Sequence, residues 1–196
     1  MDITYRTARP EDAEAMARLD GSFTTHTVFE VVGGEAGFAV REVPVDPPVR
    51  KVFPQDEVER EAAGGAGGAD GSGAAYEAGG APEGDEQVFV ALDGEVVCGF
   101  AAVTYAPWNR RVTVDDIEVS PTHRGRGIGR TLMEHASAFA RERGAAHLWL
   151  EVSTLNAPAV HAYRSMGFAL CGLDTALYDG TASAGEQALF MSRPCS

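Results

Sequence analysis

The chain of 196 residues predicts an α/β (α+β) layered domain around a mixed sheet, on three observations. Strand-like and helix-like patterns alternate along most of its length. Two β-like runs, 88–92 and 96–105, flank Asp93-Gly94, the favoured pair for a tight hairpin turn. A third run, 112–119, leads through the turn Ser120-Pro121-Thr122-His123 and a glycine-rich hexapeptide, 124–129, straight into a helix-like run that ends at Arg143.

The elements follow in order. Ile3–Thr7 reads as a strand. Residues 10–20 read as a helix, with Ala13, Met16, Ala17 and Leu19 on roughly one face. Residues 38–45 read as a strand in which Phe38 and Val40 alternate and, after a slip, Val43 and Val45. The 88–92 and 96–105 hairpin and the 112–119 strand come next. Residues 127–143 form a helix with Ile128, Leu132, Ala136 and Phe139 as its buried stripe. Gly144 ends it, and Arg141 and Arg143 suit its negative C-terminus. Residues 147–152 are a strand. Residues 156–166 are a helix capped by Asn156, with Pro158 in the first turn and Gly167 past the end. Residues 168–173 and 187–192 are closing strands.

Residues 54–86 stand apart. They hold nine Gly, eight Ala and nine acidic residues against Arg60 alone, and only Val58 and Tyr76 are large and apolar. Such a segment buries too little surface to offset its ordering entropy, so the sequence predicts a disordered acidic insert within one domain spanning 1–196. Deleting residues 62–84 is therefore expected to leave function and melting temperature nearly unchanged, because shortening a loop has a modest effect. Thermal melting and a functional assay of the deletion variant check this; a large loss of function would give the tract a role of its own.

The net charge is −13. That argues against nucleic acid as a partner, since its binders need a basic face, and suits a cationic small substrate. No run of about 18 apolar residues predicts a membrane span. The first residues, Met1-Asp2-Ile3-Thr4-Tyr5-Arg6, lack a signal-peptide core. Three cysteines, Cys98, Cys171 and Cys195, have no metal-like spacing, so a cytoplasmic protein with reduced thiols and no metal is expected. A homodimer is left open.

The hexapeptide Arg124, Gly125, Arg126, Gly127, Ile128, Gly129, followed by Arg130, carries the chemistry. Backbone N–H groups in the first turn of a helix lack intrahelical partners, and the helix dipole favours an anion there. Glycines let the backbone approach a ligand, and Arg124, Arg126 and Arg130 add mobile positive charge. The spacing Arg-x-x-Gly-x-Gly is neither the dinucleotide pattern nor a P-loop. It resembles the acyl-CoA pyrophosphate loop of the GNAT superfamily of N-acetyltransferases. The resemblance implies acetyl-CoA as cosubstrate and a mostly antiparallel sheet flanked by helices. It also implies that the 112–119 and 147–152 strands splay apart to form the acetyl-CoA cleft.

Glu151, Asn156 and Tyr163 extend the resemblance. It implies that Ile117 and Val119 offer backbone groups to pantetheine, that Asn156 touches the cofactor, and that Tyr163, two helical turns on, is the general acid. The chemistry needs such groups. A lysine-like amine has a pKa of about 10.4, so presenting it neutral at pH 7 costs roughly 4–5 kcal/mol. A carboxylate can take that proton and a tyrosine hydroxyl can protonate the leaving thiolate. Glu151 is the base or water-holder that the resemblance suggests, with Glu118 a second catalytic candidate. Alternation puts Asp116 and Glu118 on one face of their strand and Asp115 on the other, and a bulge would scramble this. His123 and His161 read as surface residues.

Beyond the cofactor half, the chain resembles the streptothricin (nourseothricin) N-acetyltransferases. The likeness rests on the blocks 19–25, 41–48, 51–54, 106–111, 116–119 and 171–183. It implies acetylation of the β-amino group of a β-lysine chain on a cationic antibiotic. The polar residues of those blocks, Thr24, Thr25, Glu42, Asp46, Trp108, Asn109 and Asp179, with Asp115 and Asp116, are the expected acceptor-binding set, since a cation wants carboxylates and an aromatic face. Two alternatives remain: a ribosomal-protein-like N-terminal acetyltransferase, and a non-catalytic acyl-CoA sensor that would need no acid.

Overall fold

The computed structural model describes residues 2–52 and 85–195. The expected insert lies outside the described residues except at its end: Asp85 and Glu86 open a strand, paired with Tyr105 and Thr104. The described chain gathers into two compact units. Among the described residues, one draws on 2–21, 52, 85–149 and 194–195, the other on Ser22–Lys51 and Leu150–Arg193.

The first unit contains β1 (Ile3–Thr7), α1 (Ala13–Ala17), β4 (Asp85–Asp93), β5 (Val96–Ala106), β6 (Arg111–Val119) and α2 (Ile128–Glu142). Its strands run in the order β1-β4-β5-β6, each pair antiparallel. The β4–β5 turn is Gly94-Glu95, one residue later than expected, because Gly94 takes the positive φ of +65° that the turn requires. Helix α2 lies on β4, β5 and β6. Its expected stripe, Ile128, Leu132, Ala136 and Phe139, is buried, as are Val90, Ala101, Val103 and Val112 on the strands. Phe89 meets Phe139 edge-on at 6.4 Å.

The helix expected over 10–20 is shorter. A 3-10 turn, Pro10–Asp12, precedes α1, and Leu19 already lies in the following turn, its N–H on the Met16 carbonyl. Leu19 is still buried, clustered with Val90, Leu92, Val97 and Phe100. Asp12 fixes the start of this segment. Its buried carboxylate accepts both Arg6 nitrogens, at 2.6 and 2.8 Å, and the Arg9 N–H at 2.7 Å.

Those bonds hold the Asp12 carboxyl down from 3.8 to about 2, the Arg6 guanidinium being the main cause. A group depressed on folding stabilises the fold above its unfolded value, and that stabilisation fades as pH falls through the folded one. The stability gap between the parent and Asp12→Asn is therefore expected to be full above about pH 4 and to close towards pH 2. Urea unfolding across that range checks it; a constant gap would mean that the pair contributes nothing electrostatic.

The second unit contains β2 (Phe23–Gly34), β3 (Gly37–Lys51), the end of β7 (His147–Ser153), α3 (Ala157–Ser165), β8 (Ala169–Asp174) and β9 (Ala188–Pro194). Strand β2, which sequence analysis did not place, forms a long hairpin with β3, and β3 extends well past the expected 38–45. Residues 23–32 are rich in β-branched and aromatic types but mix polar and apolar residues without a clean period. Strand β9 lies between β7 and β8, and β8–β9 is antiparallel. Helix α3 packs on β2, where Arg164 lies over the Phe29 ring at 5.1 Å. Gly167, at φ +88°, ends α3 as expected. Among the described residues no helix is long and apolar enough to cross a membrane.

Candidate active site

In the first unit, β6 ends at Val119 and the chain passes through a 3-10 turn, Pro121–His123, into the glycine-rich loop. Gly125 and Gly127 take φ +76° and +83°, and a Cβ at either would meet nothing within 4 Å. Gly127 is the N-cap of α2 and offers no side chain to its first turn. Gly129 lies inside that turn with ordinary helical φ, and a Cβ there would meet only Val119 Cγ2, at 3.8 Å. Bare backbone thus surrounds the positive end of a fifteen-residue helix, which is where an anionic phosphate is favoured.

The arginines are less uniform than their spacing implies. Arg124 donates to the Val119 carbonyl at 2.8 Å and to those of Asp20 and Gly21 at 3.3 and 3.1 Å, so its charge is fixed rather than mobile. Arg126 lies 3.5 Å from Asp93, which also meets His123 at 3.3 Å. His123 is half-buried rather than a free surface residue. Arg126 and Arg130 are exposed.

Strand β6 does not alternate regularly. Ala102 stands opposite Asp116 and Val103 opposite Val114, so Asp115 is an extra residue, a bulge. The face of Asp115 therefore does not follow from counting. Asp115 is exposed and accepts from the Thr104 hydroxyl at 2.6 Å. Asp116 is half-buried, and burial pushes its carboxyl up to about 6 against the bond it receives from the Ile117 N–H, with the charge of Asp115 adding to the rise. Glu118 is half-buried opposite Phe100. At Gly99 a Cβ would come within 2.9 Å of the Glu118 carbonyl, so glycine is what lets β5 and β6 close here.

In the second unit, Glu151 of β7 is half-buried and accepts a hydrogen bond from the Tyr178 hydroxyl. Burial raises its carboxyl, the Tyr178 bond opposes the rise, and Glu186 adds to it. Glu186 is buried, ion-paired with Lys51 and bonded by the Ser153 hydroxyl. Asn156 caps α3 as expected, its Oδ1 accepting from the Ala159 N–H at 3.2 Å. Tyr163 is half-buried on α3, its ring 5.9 Å from that of Phe168. His161 is exposed and bonds Glu42 at 2.9 Å. Sequence reasoning assigned no role to Tyr178, Glu186, Lys51 or Ser153. Only the presence of Lys51 and Tyr178 in the subfamily blocks pointed to them.

The expected acceptor-binding residues divide between the units. Trp108, Asn109, Asp115 and Asp116 belong to the first. Trp108 stands 78% exposed in the β5–β6 turn, and the Asn109 Oδ1 beside it is buried without a hydrogen-bond partner. Thr24, Thr25, Glu42, Asp46 and Asp179 belong to the second. Thr25 is buried at an irregularity in β2 and spends its hydroxyl on the Thr27 carbonyl at 2.6 Å, a local structural bond. Glu42 accepts from the Thr27 hydroxyl at 2.6 Å. Thr24, Asp46 and Asp179 are exposed.

Known proteins match this arrangement. Residues 58–168 match the acetyltransferase (GNAT) family. A streptothricin acetyltransferase of Streptomyces lavendulae is 60% identical over 193 residues, covering 97% of this chain and 94% of that protein. The crystal structure of a nourseothricin acetyltransferase superposes with a TM-score of 0.83 at 56% identity, covering all of both chains. A ribosomal protein bS18-alanine N-acetyltransferase of Escherichia coli (strain K12) is 38% identical over 84 residues, 43% of this chain and 56% of that protein. The likeness includes the fold class, a mixed and mostly antiparallel sheet flanked by helices.

Proposed function

The chain belongs to the GNAT acetyltransferase family, and from that premise we propose that it moves the acetyl group of acetyl-CoA onto the β-amino group of the β-lysine moiety of streptothricin, conferring resistance to that antibiotic. The observation that carries the substrate is identity along nearly the whole chain to a streptothricin acetyltransferase. The ribosomal-protein relative matches less than half of it, which disfavours the peptide alternative. Residues 1–196 act as one cytoplasmic catalytic domain with an acidic insert, and the acceptor is a cationic small molecule.

Acetyl-CoA supplies an activated acyl thioester. The loop from Arg124 to Arg130 fits its pyrophosphate: left-handed glycines, an uncapped helix start and a Gly129 backbone without a side chain in the way. Val119, Ile117 and Asn156 hold the pantetheine arm. Glu151, directly or through water, takes the proton that the acceptor amine must lose, and a carboxyl raised above its ordinary value suits that task near neutral pH. Asp116, at about 6, and Glu118 are the competing carboxylates on β6. Tyr163 gives a proton to the departing sulfur. Trp108, Asn109, Asp115 and Asp179 receive the cationic acceptor, with an exposed indole face for its charge.

The test is free-thiol release from acetyl-CoA in the presence of streptothricin, a ribosomal-protein N-terminal peptide, or no acceptor. Release with streptothricin alone is expected. Comparable release with the peptide would favour the protein acetyltransferase, and no release with either would make the chain a binding protein.

A further inference from the structure

Between β8 and β9, residues 175–187 fold as a chain of closed turns. The Ala176 N–H bonds Asp174 Oδ1 at 2.8 Å, and the Asp179 N–H bonds the Ala176 carbonyl at 3.1 Å. The Tyr178 carbonyl accepts twice from Thr181, from its N–H at 2.9 Å and its hydroxyl at 2.8 Å. The Thr181 hydroxyl in turn receives the Ser183 N–H at 3.0 Å, and the Glu186 N–H closes on the Ser183 carbonyl at 3.0 Å.

Two clamps tie this loop to β7 and the residues just after it. The buried Glu186 carboxylate takes the Ser153 hydroxyl and the Lys51 ammonium, and Lys51 also donates to the Ser183 hydroxyl at 2.8 Å. Thr154 and Gln187 exchange two bonds, at 2.8 and 3.1 Å. What the loop presents at its centre is Tyr178, with its hydroxyl on Glu151. A side chain held by a backbone so fully bonded is a preorganised donor.

We propose that Tyr178 is a positioning residue of the transfer reaction, its hydroxyl fixing the Glu151 carboxylate in the orientation from which it takes the acceptor's proton. This rests on the reading of Glu151 as the proton acceptor. The groups that act on Glu151 are Tyr178 and Glu186, with Lys51, the only lysine of the chain, paired to Glu186. Glu186 is occupied by the Lys51 ammonium and the Ser153 hydroxyl, whereas the Glu151 carboxylate takes the Tyr178 hydroxyl. Burial pushes the Tyr178 hydroxyl far above its ordinary value, so it stays a donor throughout the working range. Without it, a desolvated Glu151 beside Glu186 would keep a proton more readily.

The sign follows. Glu151 must be ionised to accept, so activity falls as pH drops through its pKa. Losing the donated bond moves that acidic limb to higher pH. The experiment is kcat/KM for streptothricin from pH 5.5 to 9 in the parent, Tyr178→Phe, Glu151→Gln and the double variant, with melting temperatures as folding controls. Tyr178→Phe is expected to lose about tenfold at pH 6, to approach the parent above pH 8.5, and to keep its acetyl-CoA KM. The double variant is expected to be no worse than Glu151→Gln. A pH-independent loss, no loss at all, or losses that multiply in the double variant would overturn the positioning role while leaving Glu151 in place. A fully active Glu151→Gln would overturn the proton-acceptor reading itself.

Discussion

Replacing Tyr163 by Phe is expected to lower kcat by about 10²–10⁴-fold while moving both KM values little. The ring sits half-buried against Phe168, and its backbone carbonyl closes the end of α3, taking the Met166 and Phe168 N–H groups at 2.9 and 3.1 Å. Phe keeps the ring and those backbone bonds, so the fold is expected to be unchanged. What goes is a proton donor for a thiolate of pKa about 8.5. Water reaching the sulfur would bring the loss to the low end. The measurement is kcat across pH 6–9 with chemistry shown to limit the rate. A value within about twofold of the parent would make Tyr163 a packing residue and require another donor.

The parts of this site legible in the sequence are those that local rules control. The strand, the glycine turn and the helix are contiguous, so the loop could be read whole, down to the stripe that α2 buries. Asn156 announced itself as a cap because a helix start wants an acceptor side chain, with Pro158 following. What long-range pairing decides was not legible. Nothing in the spacing says that Asp115 is squeezed out of register by β5, since a bulge depends on both strands. The same holds for Arg124, whose bonds to the Asp20 and Gly21 carbonyls join residues more than a hundred positions apart. The Lys51–Glu186 pair joins residues 135 positions apart, and Tyr178 reaches Glu151 across 27. Without those contacts, Glu151 is one carboxylate among several; with them it has a fixed donor and a charge-balanced neighbour.

Gly129→Val is expected to raise the KM for acetyl-CoA about ten- to a hundredfold, with kcat and the acceptor KM nearly unchanged. The choice of Gly129 over Gly127 is physical. Gly127 sits at φ +83°, so any side chain there strains the backbone, and a weaker enzyme would not distinguish lost binding from a distorted loop. Gly129 has ordinary helical φ, and its added Cβ would rest in normal contact with Val119. Within a helix, removing glycine tends to stabilise rather than weaken the fold. A branched side chain there would nevertheless stand over the helix start, where phosphate oxygens must come within hydrogen-bond distance of the backbone N–H groups. The expected loss corresponds to about 1.4–2.7 kcal/mol of binding. Because that contact forms with the bound cosubstrate and does not change as the acetyl group moves, its loss falls on KM and spares kcat. Gly129→Ala should show a smaller effect in the same direction. An unchanged acetyl-CoA KM in a Gly129→Val protein that melts like the parent would remove the pyrophosphate from this turn.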